Sequence, residues 1–356
     1  MGTEGRNSGP LFYDINHPVQ ALMLGPVIEE LQRRGHTSHV FARDKDVTLR
    51  LLERFGIKAR TLARRRRGRL GALVELVARE GAMLRQALTE RPQAIIGTSA
   101  HAGRVGRLSG ARSIVINDDD EAAVPLFARL AYPLADVIVK PACLAFENHP
   151  RQVTYRGNQQ LFYLHPVRFR PDREIRGELG IGPMQRLGVI RLSALDAHHD
   201  VGVRGLGRSH LGEIARRIPK NIVVFASVEK AQDLPQGWRP ITLPPDRIHH
   251  VLAAADFFLG DGQTMTAEAA VLGTPALRLN DFVGRISYLK ELEGYGLAFG
   301  FRPGDEPSLM KVLSEVLDGS RPRAAFAEAR GRFLSDMVDP LPWFVDLVSS
   351  RLRPHA

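Results

Sequence analysis

The chain has 356 residues, 44% apolar and 25% charged, enough for about two domains with cores of their own and too apolar for a disordered polymer. A single cysteine, Cys143, excludes a disulfide framework and a cysteine-built zinc site and fits a reducing cytoplasm. The formal net charge of +10 calls for an anionic partner, for which nucleic acid, lipid headgroups and nucleotides all qualify.

Residues 1–10 read as a polar, flexible lead-in without the basic-then-apolar layout of a signal peptide. No apolar run long enough to span a bilayer follows, so a cytoplasmic protein is expected. Residues 11–15 are an apolar strand ending at Asn16-His17-Pro18. A helix over 20–34 carries Leu24, Val27, Ile28 and Leu31 on one face, and Gly35 closes it. A strand at 38–42, a helix at 46–55 and a strand at 59–62 continue the alternation. Between positions 58 and 69 lie seven basic residues and no acidic one, with Arg64, Arg65, Arg66 and Arg67 in a row, ahead of a helix from Leu70 to about Pro92. A basic loop before an apolar helix suits an anionic membrane surface, and equally a solvated loop leading into a buried helix. No aromatic residue is interleaved with the arginines and no zinc-finger or RNA-recognition signature is present, so nucleic acid is not the expected partner.

A strand at 94–97, a helix at 102–108 and a strand at 113–116 run into Asn117-Asp118-Asp119-Asp120-Glu121. A helix at 124–132 and a strand at 136–139 follow. This alternation predicts a doubly wound, mainly parallel sheet whose ligands bind at the carboxyl ends of the strands. Those ends carry Asp14, Asn16, His17, Gln20, Ser99, His101, Asn117, Asp118, Asp119 and Glu121, a polar rim suited to chemistry.

Residues 151–171 read as a connection between domains, after which the alternation restarts with a strand at 186–192. The loop 193–202 holds Ser193, His198 and His199. A helix at 209–217, strands at 221–227 and 241–243, and a helix at 247–254 lead to a buried strand at 255–259. Gly260-Asp261-Gly262 then turns sharply into a helix near Thr264, with Thr264 or Thr266 available as its cap. Gly273 and Pro275 end that helix before a strand at 276–279. Free amides at a helix N-terminus, here Gly262, Gln263 and Thr264, favour phosphate. Glu268, one turn further in, would repel phosphate but accepts hydrogen bonds from a vicinal diol, so phosphate on the turn and ribose on the acid describe a nucleotide. The plain alternative is an ordinary α/β crossover with a surface glutamate. Residues 336–356 are expected to form a C-terminal helix that packs back on the first domain.

Two doubly wound domains with this glycine-to-glutamate element at 262–268, followed by Leu272-Gly273-Thr274-Pro275, resemble the GT-B glycosyltransferases. The element is similar to the donor-nucleotide element of the peptidoglycan N-acetylglucosaminyltransferase and to that of the UDP-N-acetylglucosamine 2-epimerases. More closely, the chain resembles an uncharacterised prokaryotic domain-of-unknown-function family of this architecture. The supporting stretches are Asp14-Ile15-Asn16, residues 26–36, Asn117-Asp118 with Glu121, residues 133–137 and residues 191–200.

The resemblance implies an α/β GT-B fold of two Rossmann-like domains facing a central cleft. Residues 11–165 would form the acceptor and catalytic domain and residues 166–335 the donor domain. Gly262, Gln263 and Thr264 would face the pyrophosphate, Glu268 would hold the ribose, and Ser193 with His198 and His199 would close over the phosphates or base. GT-B enzymes usually need no metal or other cofactor, because helix dipoles and basic side chains offset the leaving diphosphate, although Asp118-Asp119-Asp120 leaves a metal open. A UDP-sugar is the expected donor, with a glycan or lipid-linked acceptor at the inner membrane face. Two positions depart from that family: Gln20 stands where a histidine is expected, and Ala122 follows Glu121 where another is usual. Base duty then falls to His17, Asp119 or Glu121. The function expected is a nucleotide-sugar glycosyltransferase in cell-surface glycan or glycolipid assembly. A 2-epimerase-like enzyme and a non-catalytic nucleotide- or sugar-binding protein are the alternatives. The His-Val-Glu-Ala-Gly-Leu-Arg stretch of the epimerases is absent.

Overall fold

A computed structural model describes residues 9–44, 47–63, 68–144, 149–192, 205–206, 208–228 and 233–352. The chain divides into two units, one made of everything up to Tyr163 and from Asp339 onward, the other of Leu164–Val338.

The first unit holds seven strands: β1 (Leu11–Ile15), β2 (Ser38–Ala42), β3 (Ala59–Arg60), β4 (Ala94–Gly97), β5 (Arg112–Ile116), β6 (Val137–Pro141) and β7 (Gln152–Tyr155). They are parallel, in the order β3-β2-β1-β4-β5-β6-β7. Strands such as Leu11-Phe12-Tyr13-Asp14-Ile15 are buried along their whole length, as a parallel sheet covered on both faces requires. On one face Phe12, Phe41, Ile95, Val115 and Ile138 meet Met83 and Ala87 of the helix Gly68–Glu90. Ala102 and Val105 of Ala100–Ser109, with Ala128 and Ala131 of Pro125–Ala131, complete that layer. The last helix, Pro340–Arg351, lies against Pro18–Arg33, tied by Arg34 Nη1 to Asp346 Oδ1 at 2.8 Å.

The second unit holds six parallel strands: β8 (Arg186–Leu192), β9 (Ile222–Val228), β10 (Arg239–Pro240), β11 (Phe257–Gly260), β12 (Ala276–Leu279) and β13 (Ala298–Phe301). Their order is β10-β9-β8-β11-β12-β13. One face of this sheet packs on Leu211 and Ile214 of the helix Arg208–Arg217 and on Leu309, Leu313 and Val316 of Glu306–Asp318. In both sheets the chain reverses its direction of growth beside the first strand, between β1 and β4 and between β8 and β11. These switch points open crevices at the carboxyl ends of the strands.

Several local expectations are corrected. The stretch 151–171 is not only a connection, because Gln152–Tyr155 adds a seventh strand beside β6 and Leu161–Leu164 is helical. The helix after β1 starts at Pro18, whose fixed φ and missing N–H suit a first helical turn. The helix after β11 starts at Gln263 with Gly262 as its cap. Thr266 Oγ1 donates back to Gly262 O at 2.5 Å, so neither threonine caps it.

Candidate functional site

In the first unit, the carboxyl ends of β1, β4, β5 and β6 bring three polar groupings to one sheet edge. At the switch point Asp14 is fully buried, accepting from Arg79 Nη2 at 2.9 Å, from Asn16 Nδ2 at 3.2 Å and from the Ser99 hydroxyl. Gly97 makes room for it, since a Cβ there would lie 3.0 Å from Asp14 Cβ. Ser99 also caps the helix Ala100–Ser109 by accepting from His101 N at 3.2 Å. Asp14 and Ser99 therefore hold the crevice in shape.

His17 caps the helix Pro18–Arg33, its Nδ1 accepting from Val19 N at 3.4 Å. Gln20 Oε1 reaches back to the amides of Asn16 and His17 at 2.6 and 3.2 Å. This is a capping box. The Nδ1 lone pair of His17 is thereby engaged, and Gln20 has a local structural task that does not need a histidine. His101 is buried with Nδ1 3.1 Å from Glu80 Oε2, and Glu80 also takes the Arg104 guanidinium. Burial pushes the Glu80 carboxyl up, but Arg104 and His101 together hold it below its ordinary value.

The third grouping is the acidic turn after β5. Asn117 Nδ2 donates to Tyr132 Oη at 2.6 Å and to Asp119 O at 2.9 Å, while Asp119 N donates to Asn117 Oδ1 at 3.0 Å. Glu121 Oε1 accepts from Lys140 Nζ at 2.7 Å, and that buried ammonium also lies 4.9 Å from the centre of the Tyr132 ring. Burial lowers the Lys140 pKa and the Glu121 contact opposes the shift. Asp118 is pushed up to about 8, first by burial and then by the adjacent Asp119 charge. A carboxyl with a raised pKa thus stands in sequence between Asn117 and Asp119, with Glu121 and its ammonium close by. Such a set can give and take protons.

In the second unit, β11 feeds through Asp261 and Gly262 into the helix Gln263–Val271, whose first turn has no side-chain cap. Asn280 Nδ2 pins the turn by donating to Asp261 O at 2.6 Å. Glu268 lies inside the fold, 3% exposed, with Oε1 3.1 Å from Nε2 of the buried His249. The plain alternative, a crossover with a surface glutamate, is therefore not what the chain carries. Phe169 meets the His249 ring edge-on at 6.2 Å.

Two arginines flank the end of β11: Arg191 on β8 and Arg278 on β12 are both in register with Gly260. Arg191 Nη1 donates to Ser227 Oγ at 2.7 Å. Arg278 is buried with Glu293 Oε1 3.5 Å away, and among the described residues its Nε and Nη1 have no hydrogen-bond partner. Burial lowers its pKa, against the pull of Glu293. Arg191 and Arg278 thus flank, in register, the strand end that leads into the helix N-terminus.

Ser193, His198, His199 and Arg64–Arg67 lie outside the described residues. Lys140, Tyr132, Arg79, His249 and Arg278 belong to no motif in the sequence. A lone charged residue within an apolar strand, as Lys140 and Arg278 are, was the signal available. Among the described residues no group of three or more histidine, cysteine or acidic side chains is placed to hold a metal. No helix among them is long and apolar enough to cross a membrane.

A family model described as "Protein of unknown function (DUF354)" matches residues 11–281. No curated protein matches the chain. Among solved structures, Spinosyn Forosaminyltransferase SpnP aligns with 96% of this chain and 100% of its own, at 15% identity and a TM-score of 0.65. A putative UDP-N-acetylglucosamine 2-epimerase from Listeria monocytogenes aligns with 92% of this chain and 95% of its own, at 17% identity and TM-score 0.66. The UDP-GlcNAc 2-epimerase from Neisseria meningitidis, solved bound to UDP-GlcNAc, covers 96% of this chain and 99% of its own at 14% identity and TM-score 0.64. These likenesses carry the fold, GT-B with two Rossmann-like α/β domains, which glycosyltransferases and 2-epimerases share.

Proposed function

The chain belongs to the DUF354 family, and from that membership and the site geometry we propose that it is a GT-B glycosyltransferase acting on a nucleotide sugar, with a UDP-sugar as donor. The supporting observation is the uncapped helix N-terminus at Gly262–Gln263, set between Arg191 and Arg278 and followed by the buried Glu268. In this assignment residues 166–335 form the donor domain. Gly262, Gln263 and Thr264 receive the diphosphate at the positive end of the helix dipole, and Glu268, oriented by His249, receives the ribose hydroxyls. In the same assignment Ser193, His198 and His199, which lie outside the described residues, are the candidates to close over the phosphates or the base. Residues 11–165 supply the acceptor side. Asp119 or Glu121 takes the proton of an acceptor hydroxyl as its oxygen attacks the anomeric carbon and the bond to the diphosphate breaks. His17 is the weaker base, since its Nδ1 serves the helix cap. The acceptor is a glycan or a lipid-linked glycan in cell-surface assembly, met at an anionic membrane surface.

A 2-epimerase reaction is the second reading. It is favoured by the raised pKa of Asp118 beside Asp119 and Glu121, which suits an acid and a base at one turn, and by epimerases among the structural neighbours.

The test is a melting screen against UDP-, GDP-, dTDP- and CDP-sugars, followed by product analysis. A donor at 100 times its dissociation constant adds about 2.7 kcal/mol to stability. UDP release that depends on an added acceptor supports transfer. Solvent deuterium entering C2 of the sugar without acceptor supports epimerisation. No shift with any nucleotide sugar overturns both.

A further inference from the structure

The helices Gly68–Glu90, Ala100–Ser109 and Pro125–Ala131 lie side by side on one face of the first sheet, anchored through the shared core described above. Their outward sides are unusual. Of the eleven exposed large apolar side chains among the described residues, seven are on these three helices. Val74, Leu76, Val77 and Leu88 belong to the first, Leu108 to the second, and Leu126 and Leu130 to the third, with Val77 and Leu108 both 63% and Leu126 69% exposed. The first helix even inverts the usual pattern, burying Glu75 and Arg79 while leaving Val74 and Val77 outside.

The charges on the same surface have one sign. Arg85, Arg107 and Arg129 are exposed and have no salt bridge among the described residues. No acidic residue of the three helices is exposed. Glu75 is buried against Arg43, Glu80 is held by Arg104 and His101, and Glu90 by His39 and Arg60. In sequence, Arg64–Arg67 immediately precede the first helix.

We propose that the outer side of this three-helix layer is the surface by which the protein docks on an anionic lipid bilayer. Exposed leucines and valines enter the headgroup boundary, while arginines keep their guanidinium groups at the phosphates and lay their stems along the apolar surface. Scattered apolar residues on a soluble surface are ordinary, but their concentration on one layer stripped of exposed acids is not. A second copy of the chain is a poor occupant, because a two-fold interface would set these arginines against one another. The third helix begins four residues after Glu121, so a docked layer brings the acidic turn close to the membrane surface. The proposal rests on the lipid-linked acceptor of the proposed function and names the surface that reaches it.

The experiment is co-sedimentation of the full chain with phosphatidylcholine vesicles, with and without phosphatidylglycerol, over a salt series. Two variants are compared with the parent, Val77→Glu/Leu108→Glu/Leu126→Glu and Arg85→Gln/Arg107→Gln/Arg129→Gln. All six positions are exposed, and melting curves confirm that each variant folds. The parent should bind anionic vesicles at least tenfold better than neutral ones, with binding weakening as salt rises. Each variant should lose at least tenfold. Parent binding that both variants retain, or no binding by the parent, overturns the proposal. So does concentration-dependent self-association, or capture of an acidic protein, that the variants abolish without any vesicle binding. The nucleotide-induced melting shift, measured on the same proteins, reports separately on the donor site. A shift without vesicle binding sinks the surface alone, and vesicle binding without a shift sinks the sugar-nucleotide reading alone.

Discussion

Lys140 offers a sharp test of the acidic turn. Its ammonium is buried on β6, 2.7 Å from Glu121 Oε1, and balances the charges gathered between Asp118 and Glu121. Lys140→Met keeps the stem length and removes the charge, leaving Glu121 facing its acidic neighbours alone. Breaking a fully buried pair costs about 3–5 kcal/mol. The Glu121 side chain keeps 27% of its exposure, so water recovers part of that, and about 2–3 kcal/mol is the expected loss. For a unit of this size each kcal/mol moves the melting temperature by about 2–4 °C, so a drop of roughly 5–10 °C is expected in the first unit's transition. Differential scanning calorimetry on the full chain reads it. The double variant Lys140→Met/Glu121→Gln removes both charges and should recover more than half of the loss, because the stranded carboxylate is gone. A single variant that melts within about one degree of the parent would refute the reasoning. So would a double variant as unstable as the single.

Asp118 carries a pH signature. Its folded pKa of about 8 stands above the 3.8 of a free carboxyl, so the folded state holds an extra proton between those values and loses stability as pH rises through that window. Asp118→Asn has no proton to lose, so its melting temperature should gain on the parent's steadily from about pH 4 to pH 8; a constant difference contradicts the shift. Gly188→Ala would place a Cβ 2.5 Å from the Phe257 ring at the β8–β11 contact, and should cost about 1–3 kcal/mol in urea denaturation. Adding Phe257→Leu to make room should restore part of the loss, and an unchanged midpoint for Gly188→Ala alone would show that the strands can part without cost.

What could be read from sequence follows from how local each signal is. Buried parallel strands such as Leu11–Ile15 and Arg186–Leu192 announce themselves as apolar runs, and the glycine turn at 260–262 is written in residue types. The strand Gln152–Tyr155 is a polar edge strand with one buried residue, and Arg239–Pro240 is two exposed residues, so neither carries an apolar signature. The second unit's last three helices, Ser287–Gly294, Glu306–Asp318 and Arg323–Asp336, were not singled out at all. At the site, the rim was legible because a doubly wound sheet sends its ligands to strand ends. The pairings were not, since Asp14 meets Arg79 across 65 residues and Glu121 meets Lys140 across 19. Gln20 stands where the family resemblance expects a histidine, and in the fold its carbonyl holds the amides of Asn16 and His17.

In the proposed function Glu268 receives a ribose beside a diphosphate held at Gly262–Thr264. Calorimetric titration of UDP and of 2′-deoxy-UDP into the parent and into Glu268→Gln tests it directly. Glutamine keeps the shape and can still accept from His249, but it lacks the charge and turns one acceptor into a donor. Hydrogen bonds to a charged group contribute about 1.5–3 kcal/mol, so UDP affinity should fall about tenfold to a hundredfold. The parent should prefer UDP over the deoxy nucleotide, and the variant should lose that preference, since both changes remove the same contact. A folded Glu268→Gln protein that binds both nucleotides as the parent does would contradict the assignment.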